Sequence, residues 1–145
     1  VQGRNRIMGL DGNDKLNGRG GRDDLEGGDG RDMLRGGKGN DTMNGGAGRD
    51  TLEGGTGSDD LTGGSGADMF LFKAGDGTDR ILDLQVGTDR IDMRQSQFEA
   101  ADLILTQKTG YVEVTFAGDT SPDGTIIQVL NTTVAEMDNA ANFLF

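Results

Sequence analysis

Seven aspartates recur at intervals of nine residues in the first half of the chain. They are Asp14, Asp23, Asp32, Asp41, Asp50, Asp59 and Asp68. Each follows a run of glycines, which permit the positive φ angles of a tight turn and so expose backbone carbonyl groups. Carboxylate and carbonyl oxygens suit Ca²⁺, which takes about six to eight oxygen ligands in flexible geometry, whereas Mg²⁺ demands a stricter octahedron. Because no nitrogen or sulfur ligand recurs with them, the spacing predicts calcium binding.

The repeat that carries these aspartates reads G-G-x-G-x-D-x-U-x, in which U is apolar, and it is cleanest over residues 27–71. A self-similar repeat of this length is typical of a coiled β architecture with one rung per repeat. Six residues of turn and three of strand fit the pattern, and two repeats would close one turn of the coil. The apolar positions, which would point inward, are Ile7, Leu16, Leu25, Leu34, Met43, Leu52, Leu61 and Phe70.

One apolar residue per rung is a small core for a glycine-rich array, because glycine loses more backbone entropy on folding than any other residue. Successive turns would alternate between the two edges of the coil, so each aspartate would lie beside the one eighteen residues away. Stacked carboxylates repel each other unless a cation lies between them. We therefore expect the array to be disordered without calcium.

The chain has a formal net charge of -11, and acidic residues outnumber basic ones in both halves. Such a charge disfavours nucleic acid as a partner. A solvated acidic surface would explain the charge of a chain without periodicity, but here the acids stand at fixed offsets. The sequence contains no cysteine and no histidine, which excludes disulfides, thiolate metal sites, HExxH zinc sites and Ser-His-Asp triads. No apolar run is long enough to cross a membrane, so we expect no stable membrane insertion.

The distribution of glycine divides the chain into two parts, because 21 of its 27 glycines lie before Phe72. We expect a repeat array over residues 1–71 and a different unit over residues 72–145. In the second unit the alternation of apolar and polar residues predicts strands at 79–85, 89–94, 103–107, 111–117 and 125–131. This β-rich unit would cap the open end of the coil, as the terminal repeats of solenoids require.

Two pairs of residues in the second unit have capping-box spacing and predict short helices. The first pair is Ser96 and Glu99, and the second is Thr133 and Glu136, which would begin a helix over residues 134–140.

The nonapeptide array resembles the RTX family, whose calcium-binding repeats occur in proteins exported by Gram-negative type I secretion systems. The resemblance covers residues 3–71 and rests on seven in-phase copies of the motif. It implies an all-β fold, with a parallel β-roll followed by a β-rich C-terminal cap with short helices. It also implies that each ion takes the second and fourth carbonyls and the aspartate of one turn. The turn two repeats later adds its first and third carbonyls and its aspartate.

Carried onto this chain, the resemblance implies three sites with the full motif and two in which the second glycine is substituted. The three are Gly28, Gly30 and Asp32 with Gly45, Ala47 and Asp50; Gly37, Gly39 and Asp41 with Gly54, Thr56 and Asp59; and Gly46, Gly48 and Asp50 with Gly63, Ser65 and Asp68. The two are Leu10, Gly12 and Asp14 with Gly27, Asp29 and Asp32; and Arg19, Gly21 and Asp23 with Gly36, Lys38 and Asp41. Leu10 and Arg19 leave a carbonyl available but would strain the turn. A sixth site between the turns of Asn5 and Asp23 would have a neutral ligand, so we expect about five or six ions in the roll.

The stretch from Gly75 to Met93 resembles the segment that follows the repeats in many RTX proteins. Its carboxylates are either one more calcium site in the cap or solvated side chains; they are Asp76, Asp79, Asp83, Asp89 and Asp92. The terminal Phe143-Leu144-Phe145 resembles the hydrophobic end of type I secretion signals, although Asn142 stands where some relatives have an acidic residue. The alternative is a last strand packed on the cap.

The resemblance implies a secreted, extracellular module that folds on calcium binding at the end of a larger exported protein. Its partners would be calcium, the type I secretion machinery at the C-terminus and an upstream domain of the same polypeptide. The first residues read as a degraded repeat (Gly3, Asn5, Ile7), so we expect the chain to be part of a longer one.

Two other functions are open at this point. The array also resembles the repeat modules of alginate epimerases and could bind a polysaccharide or serve as an adhesin terminal module, with Arg22, Arg31, Arg35, Lys38 and Arg49 as candidate contacts. Carboxylate pairs can serve as glycosidase acid and base, but the aspartates are better explained as metal ligands. We therefore expect this module not to be catalytic.

Overall fold

The computed structural model describes residues 3–94, 96, 98–117, 124–137 and 142–145. The repeats form eight short strands, which are β1 (Arg6–Asp11), β2 (Lys15–Gly20), β3 (Asp24–Gly30), β4 (Met33–Lys38), β5 (Thr42–Gly48), β6 (Thr51–Thr56), β7 (Asp60–Gly66) and β8 (Met69–Leu71). The strands described after them are β9 (Gly77–Ile81), β10 (Arg90–Asp92), β11 (Leu103–Lys108), β12 (Tyr111–Phe116), β13 (Thr125–Leu130) and β14 (Phe143–Leu144). A 3₁₀ turn at Ala100–Asp102 and the helix α1 (Val134–Met137) complete the described elements.

The strands of the repeats form two parallel sheets, with odd-numbered strands in one and even-numbered strands in the other. Each strand pairs with the strand two repeats later. Leu25 lies opposite Met43 in the first sheet, and Leu34 lies opposite Leu52 in the second. Two repeats therefore close one turn of the coil, which confirms the parallel roll.

The apolar residue of each repeat points between the two sheets. Leu25, Leu34, Met43, Leu52, Leu61 and Phe70 are completely buried. Ile7 and Leu16 are only partly buried, because β1 and β2 are the outermost strands of their sheets and have a neighbour on one side only.

The strands after the repeats extend both sheets and cover them. In the first sheet, β9 pairs with β7 and then with β13, which continues into the antiparallel pairs β13–β12 and β12–β11. In the second sheet, β10 pairs with β8 and is itself covered by β14. The buried core continues from the roll into this region without a break. The all-β fold with a capped roll is thus confirmed, whereas the division at residue 72 stays a prediction, because both sheets continue across it.

The predicted strands of the cap are present with shifted bounds. The largest shift is at β9, which begins at Gly77 and ends at Ile81, because the carboxylate of Asp83 accepts the backbone N–H groups of Gly63 and Gly64 instead of continuing the strand.

One of the two predicted helix starts is wrong. Ser96 does not cap a helix: its hydroxyl donates to the carbonyl of Met93, and the 3₁₀ turn begins after Glu99, whose N–H is accepted by the Asp102 carboxylate. Thr133 and Glu136 do form the expected capping box at α1. Residues 138–140 of the predicted second helix lie outside the described residues. Among the residues that the structure describes, no helix has the length and hydropathy needed to cross a membrane.

Candidate metal centre

The repeat aspartates stack in two columns, one along each edge of the roll. In each column the backbone N–H of one residue donates to Oδ1 of the aspartate one turn later. The first column runs Asn5 to Asp23 (2.7 Å), Asp23 to Asp41 (2.7 Å) and Asp41 to Asp59 (2.7 Å). The second runs Asp14 to Asp32 (2.8 Å), Asp32 to Asp50 (2.8 Å) and Asp50 to Asp68 (2.9 Å). One oxygen of each carboxylate thus holds consecutive turns together.

The other oxygen of each carboxylate has no partner. Within the described residues, Oδ2 is buried and accepts no hydrogen bond at Asp14, Asp23, Asp32, Asp41, Asp50, Asp59, Asp68 and Asp79. Burying an ionised oxygen without a counter-charge costs on the order of several kcal/mol per group. The row of buried and unpartnered oxygens therefore fits a row of cations.

The first glycine of each repeat leaves room beside that oxygen. A Cβ atom at Gly45 would lie 2.6 Å from Oδ2 of Asp50 and 2.6 Å from the carbonyl oxygen of Gly63. The carboxylate of one turn and the first carbonyl of the next turn in the column therefore converge on one place. The same pair of groups meets at Gly18, where Asp23 Oδ2 and the Gly36 carbonyl lie 2.6 Å and 2.7 Å from the equivalent point.

Carbonyl groups must supply most of the ligands at such a place. No group of three or more carboxylates that could hold a metal occurs among the described residues, which agrees with two carboxylates for each ion. The third-position carbonyls already accept one hydrogen bond, as from Gly39 N–H to Thr56 (2.8 Å). A carbonyl oxygen has a second lone pair that remains available for a cation. The donor set is all oxygen, as calcium requires.

A family model of the RTX calcium-binding nonapeptide repeat, four copies long, matches residues 1–34 and again residues 35–70. Residues 1–70 are RTX calcium-binding repeats. The family supports Ca²⁺ as the ion that these repeats bind, so the chain contains a calcium-binding module. No curated protein sequence matches the chain.

Three solved structures are similar to this RTX chain. It aligns over its whole length with the extracellular lipase LipA from Serratia marcescens, at 16% identity and a TM-score of 0.52, and spans 39% of that lipase. It covers 91% of the AlgE6R2 subunit of the mannuronan C5-epimerase from Azotobacter vinelandii, with 96% of its own length, 25% identity and a TM-score of 0.55. It covers 80% of the AlgE6R3 subunit of the same enzyme, with 94% of its own length, 28% identity and a TM-score of 0.42. The likeness to the lipase is one of fold alone.

Four of the RTX aspartates, Asp41, Asp50, Asp59 and Asp68, have raised pKa values. Burial raises the pKa of Asp59 to about 7, and the neighbouring charge of Asp41 adds to the increase. Burial also raises the pKa of Asp68 to about 6, with Asp89 and Asp50 adding to the increase. The pKa values of Asp41 and Asp50 are raised for the same first reason. A bound cation would reverse the balance by favouring the ionised form.

Leu10 and Arg19 replace the second glycine of their RTX repeats and still adopt its backbone conformation. Their φ angles are 80° and 73°, whereas Gly28 in the next turn of the column has a φ of 110°. The expected strain is therefore present in the first two repeats. The left-handed conformation costs a residue with a side chain about 1–2 kcal/mol.

The aspartates of the cap do not form one site. Asp92 is bound by the guanidinium of Arg94, which lowers its pKa, and Asp76 accepts the backbone N–H of Lys73. Asp79 and Asp89 instead continue the two RTX columns, since they accept the N–H groups of Asp59 (2.9 Å) and Asp68 (3.0 Å). Their spacing of 20 and 21 residues hides this continuation from a search with a nine-residue period.

The basic residues of the roll are spread over its surface. Arg22 precedes Asp23 in one column, whereas Arg31 and Arg49 precede Asp32 and Asp50 in the other. Arg35 lies on a sheet face and pairs with Glu53 at 2.6 Å. These cations do not form a single patch.

Proposed function

We propose that this chain is a module whose folding depends on calcium, and that it folds outside the cell. The observation that carries the proposal is the set of buried carboxylate oxygens without a partner, which runs along both edges of the roll. Without calcium these charges repel one another around a core of one apolar side chain per repeat. The metal-free chain would then be largely unfolded.

The calcium sites of the proposal are the five ligand sets that the RTX resemblance implies, with a weaker sixth at Asn5. The converging oxygens at Gly45 and Gly18 support two of them directly. The shared Oδ1 hydrogen bonds support the pairing of aspartates one turn apart in all five. In this scheme Asp32, Asp41 and Asp50 each contact two ions.

Mass action favours folding outside the cell. For an extracellular module with a Kd near 1 mM, about 10 mM calcium stabilises the fold by roughly 1.4 kcal/mol per site. Micromolar calcium stabilises it by almost nothing. A chain with several such sites would remain unfolded in the cytosol and fold where calcium is abundant.

We also propose that the chain is exported by a type I system and follows an upstream domain. Phe143 and Leu144 pair with β10, and the buried Asn142 accepts the N–H of Gly87. A secretion signal at these residues would be accessible before folding and covered afterwards. Export of an unfolded chain is compatible with such a signal, and we assign no reaction to the module itself.

Far-UV circular dichroism during a calcium titration tests the proposal, with magnesium as the control. We expect β-structure to appear cooperatively with calcium and not with the same concentration of magnesium. A chain that is already β-structured in chelator would contradict calcium-dependent folding.

Polysaccharide binding is the second candidate, because the chain covers nearly all of an epimerase subunit at 25% identity. The epimerase acts on mannuronan by its name, so mannuronan is the polysaccharide to test. Affinity electrophoresis should compare the chain with and without calcium, and then with Arg31→Ala/Arg49→Ala at one edge against Arg22→Ala/Lys38→Ala at the other. Unchanged mobility in mannuronan would exclude this candidate.

A further inference from the structure

A further copy of the nine-residue motif follows the last RTX repeat, but a two-residue insertion shifts it out of phase with the repeats. Residues 74–82 read A-G-D-G-T-D-R-I-L, which matches the motif at every position except the first, where Ala74 replaces glycine, after an insertion of Phe72 and Lys73. Gly75 and Gly77 take the positions of the second and fourth residues, and their φ angles are 85° and 108°. Ile81 takes the apolar position and is completely buried opposite Leu61.

The turn at residues 74–79 makes the same contacts as the turns of the repeats. Gly57 donates its N–H to the carbonyl of Asp76 at 2.8 Å, as Gly39 does to Thr56 one turn earlier. Asp59 donates its N–H to Oδ1 of Asp79 at 2.9 Å. Asp79 is 0% exposed, and its Oδ2 is buried without a partner. The pair Asp59 and Asp79 therefore repeats the hydrogen bond and the unpartnered oxygen of each pair in the roll, although the carbonyl oxygen that meets Asp50 Oδ2 at Gly45 has no equally close counterpart at Gly54.

The opposite edge of the roll ends differently. Asp89 also accepts the N–H of the aspartate before it in its column, Asp68. However, Oδ2 of Asp89 accepts the backbone N–H of Gln85 at 2.8 Å. The side-chain amide of Gln85 donates to the carbonyl of Gly64 at 2.6 Å, which is the second-glycine carbonyl of the last repeat. Protein N–H groups thus hold both oxygens of Asp89, whereas Oδ2 of Asp68 stays buried and without a partner.

We propose that Asp59 and Asp79, with backbone carbonyls of the turns that carry them, bind a calcium ion one turn beyond the repeats, and that the Asp68–Asp89 position binds none because Gln85 fills it. This inference rests on the calcium-binding function proposed above. The site has a structural consequence, because Asp79 lies in β9, which is the strand that joins the roll to β13. Calcium at this site would fasten the antiparallel strands of the cap to the roll.

Two variants of the full chain separate the two ends of the columns. Asparagine keeps the Oδ1 acceptor and the size of aspartate but removes the charge, so Asp79→Asn and Asp89→Asn each remove one charge at the end of a column, and Asp89→Asn also loses the hydrogen bond that Oδ2 accepts from Gln85 N–H. Bound calcium is counted by equilibrium dialysis at saturation. We expect Asp79→Asn to bind one ion fewer than the parent chain and Asp89→Asn to bind the same number. Equal counts for Asp79→Asn and the parent, or a lost ion in Asp89→Asn, would overturn the inference.

Tyr111 gives a second measurement, because it is the one tyrosine of a chain without tryptophan and it lies in β12 of the cap. In Asp79→Asn we expect the calcium midpoint of the tyrosine signal, which reports on the cap, to lie at a higher concentration than the midpoint of the far-UV signal. If the tyrosine and far-UV transitions coincide in the variant as they do in the parent, calcium at this site does not fasten the cap to the roll.

A crystal of the parent chain grown in calcium covers the case in which Asp79→Asn fails to fold. We expect an anomalous difference peak between Asp59 and Asp79 and none at Asp89. Peaks in the roll without one at Asp79 would overturn this inference alone, whereas a parent chain that binds no calcium would overturn the proposed function.

Discussion

The backbone N–H of Asp32 donates a hydrogen bond of 2.8 Å to Oδ1 of Asp50, which lies eighteen residues later in the chain. This contact uses one oxygen of the Asp50 carboxylate to join two turns and leaves Oδ2 buried and unpartnered. Each aspartate inside a column therefore has a structural oxygen and a free one. The hydrogen bond fixes where the free oxygen lies, so the fold itself arranges the ligands of the cation.

Asp50→Asn should weaken calcium-dependent folding more than Asp14→Asn. Asp50 serves two of the proposed sites, whereas Asp14 serves one at the less buried end of its column. At about 10 mM calcium, two sites of millimolar affinity contribute about 3 kcal/mol and one contributes about 1.4 kcal/mol. Urea unfolding at a fixed calcium concentration measures both losses. Asp11→Asn, an exposed residue outside the columns, is the control, and equal losses at Asp50 and Asp14 would contradict shared ligands.

Gly45→Ala should lower calcium affinity without a backbone penalty. The new Cβ atom would lie 2.6 Å from Oδ2 of Asp50 and from the carbonyl oxygen of Gly63, while the φ angle of Gly45 is not in the left-handed region. Because both oxygens are proposed ligands, they would have to move apart. Isothermal calorimetry should show weaker calcium binding than in the parent chain. Gly3→Ala, which meets no atom within 4 Å, should bind calcium like the parent.

Arg19→Gly should stabilise the calcium-bound fold by up to about 1.5 kcal/mol. The change removes the cost of a left-handed residue, about 1–2 kcal/mol, and adds the larger backbone entropy of glycine, about 0.5–1 kcal/mol. Chemical unfolding in saturating calcium measures the difference. Arg22→Gly has only the entropy cost, because Arg22 has no positive φ angle, and should destabilise the fold. A loss of stability in both variants would argue against strain at Arg19.

The calcium concentration needed for folding should change little between pH 8 and pH 6. Burial raises the pKa of Asp59 to about 7 and that of Asp79 to about 8 in the metal-free fold, above the ordinary value of 3.8. The metal-free fold therefore binds protons that the unfolded chain does not, so protons stabilise it below these pKa values and that stability is lost as the pH rises through them. The unfolded chain and the calcium-bound fold both keep these carboxylates ionised in this range, so folding coupled to calcium binding exchanges no protons with them.

Calcium titrations followed by circular dichroism at pH 8, 7 and 6 measure this effect. The midpoint concentration should stay constant, and calcium addition at pH 7 should release no protons in calorimetry with buffers of different ionisation enthalpy. A midpoint that rises as the pH falls, with proton release, would show that calcium binds a metal-free chain that is already folded, and would contradict calcium-dependent folding.

Much of the roll could be predicted from the sequence. The period of nine residues placed Leu34 and Leu52 in the core and paired Asp32 with Asp50, because a regular coil converts a fixed spacing into a fixed contact. The ligand type followed in the same way, since only oxygen donors recur. These properties are local to one repeat and its copies, so no distant segment was needed to infer them.

The tertiary structure decided how the columns end. Asp79 joins its column across an insertion of Phe72 and Lys73, which breaks the period without breaking the stacking of the turns. Gln85 closes the other column, because a loop after β9 brings its N–H groups to Asp89 and Gly64. Ser96 does not begin a helix, because the 3₁₀ turn starts three residues later, where the Asp102 carboxylate accepts the N–H of Glu99. Sequence periodicity determines contacts within the coil, but hydrogen-bond partners from outside the period are known only once the chain is folded.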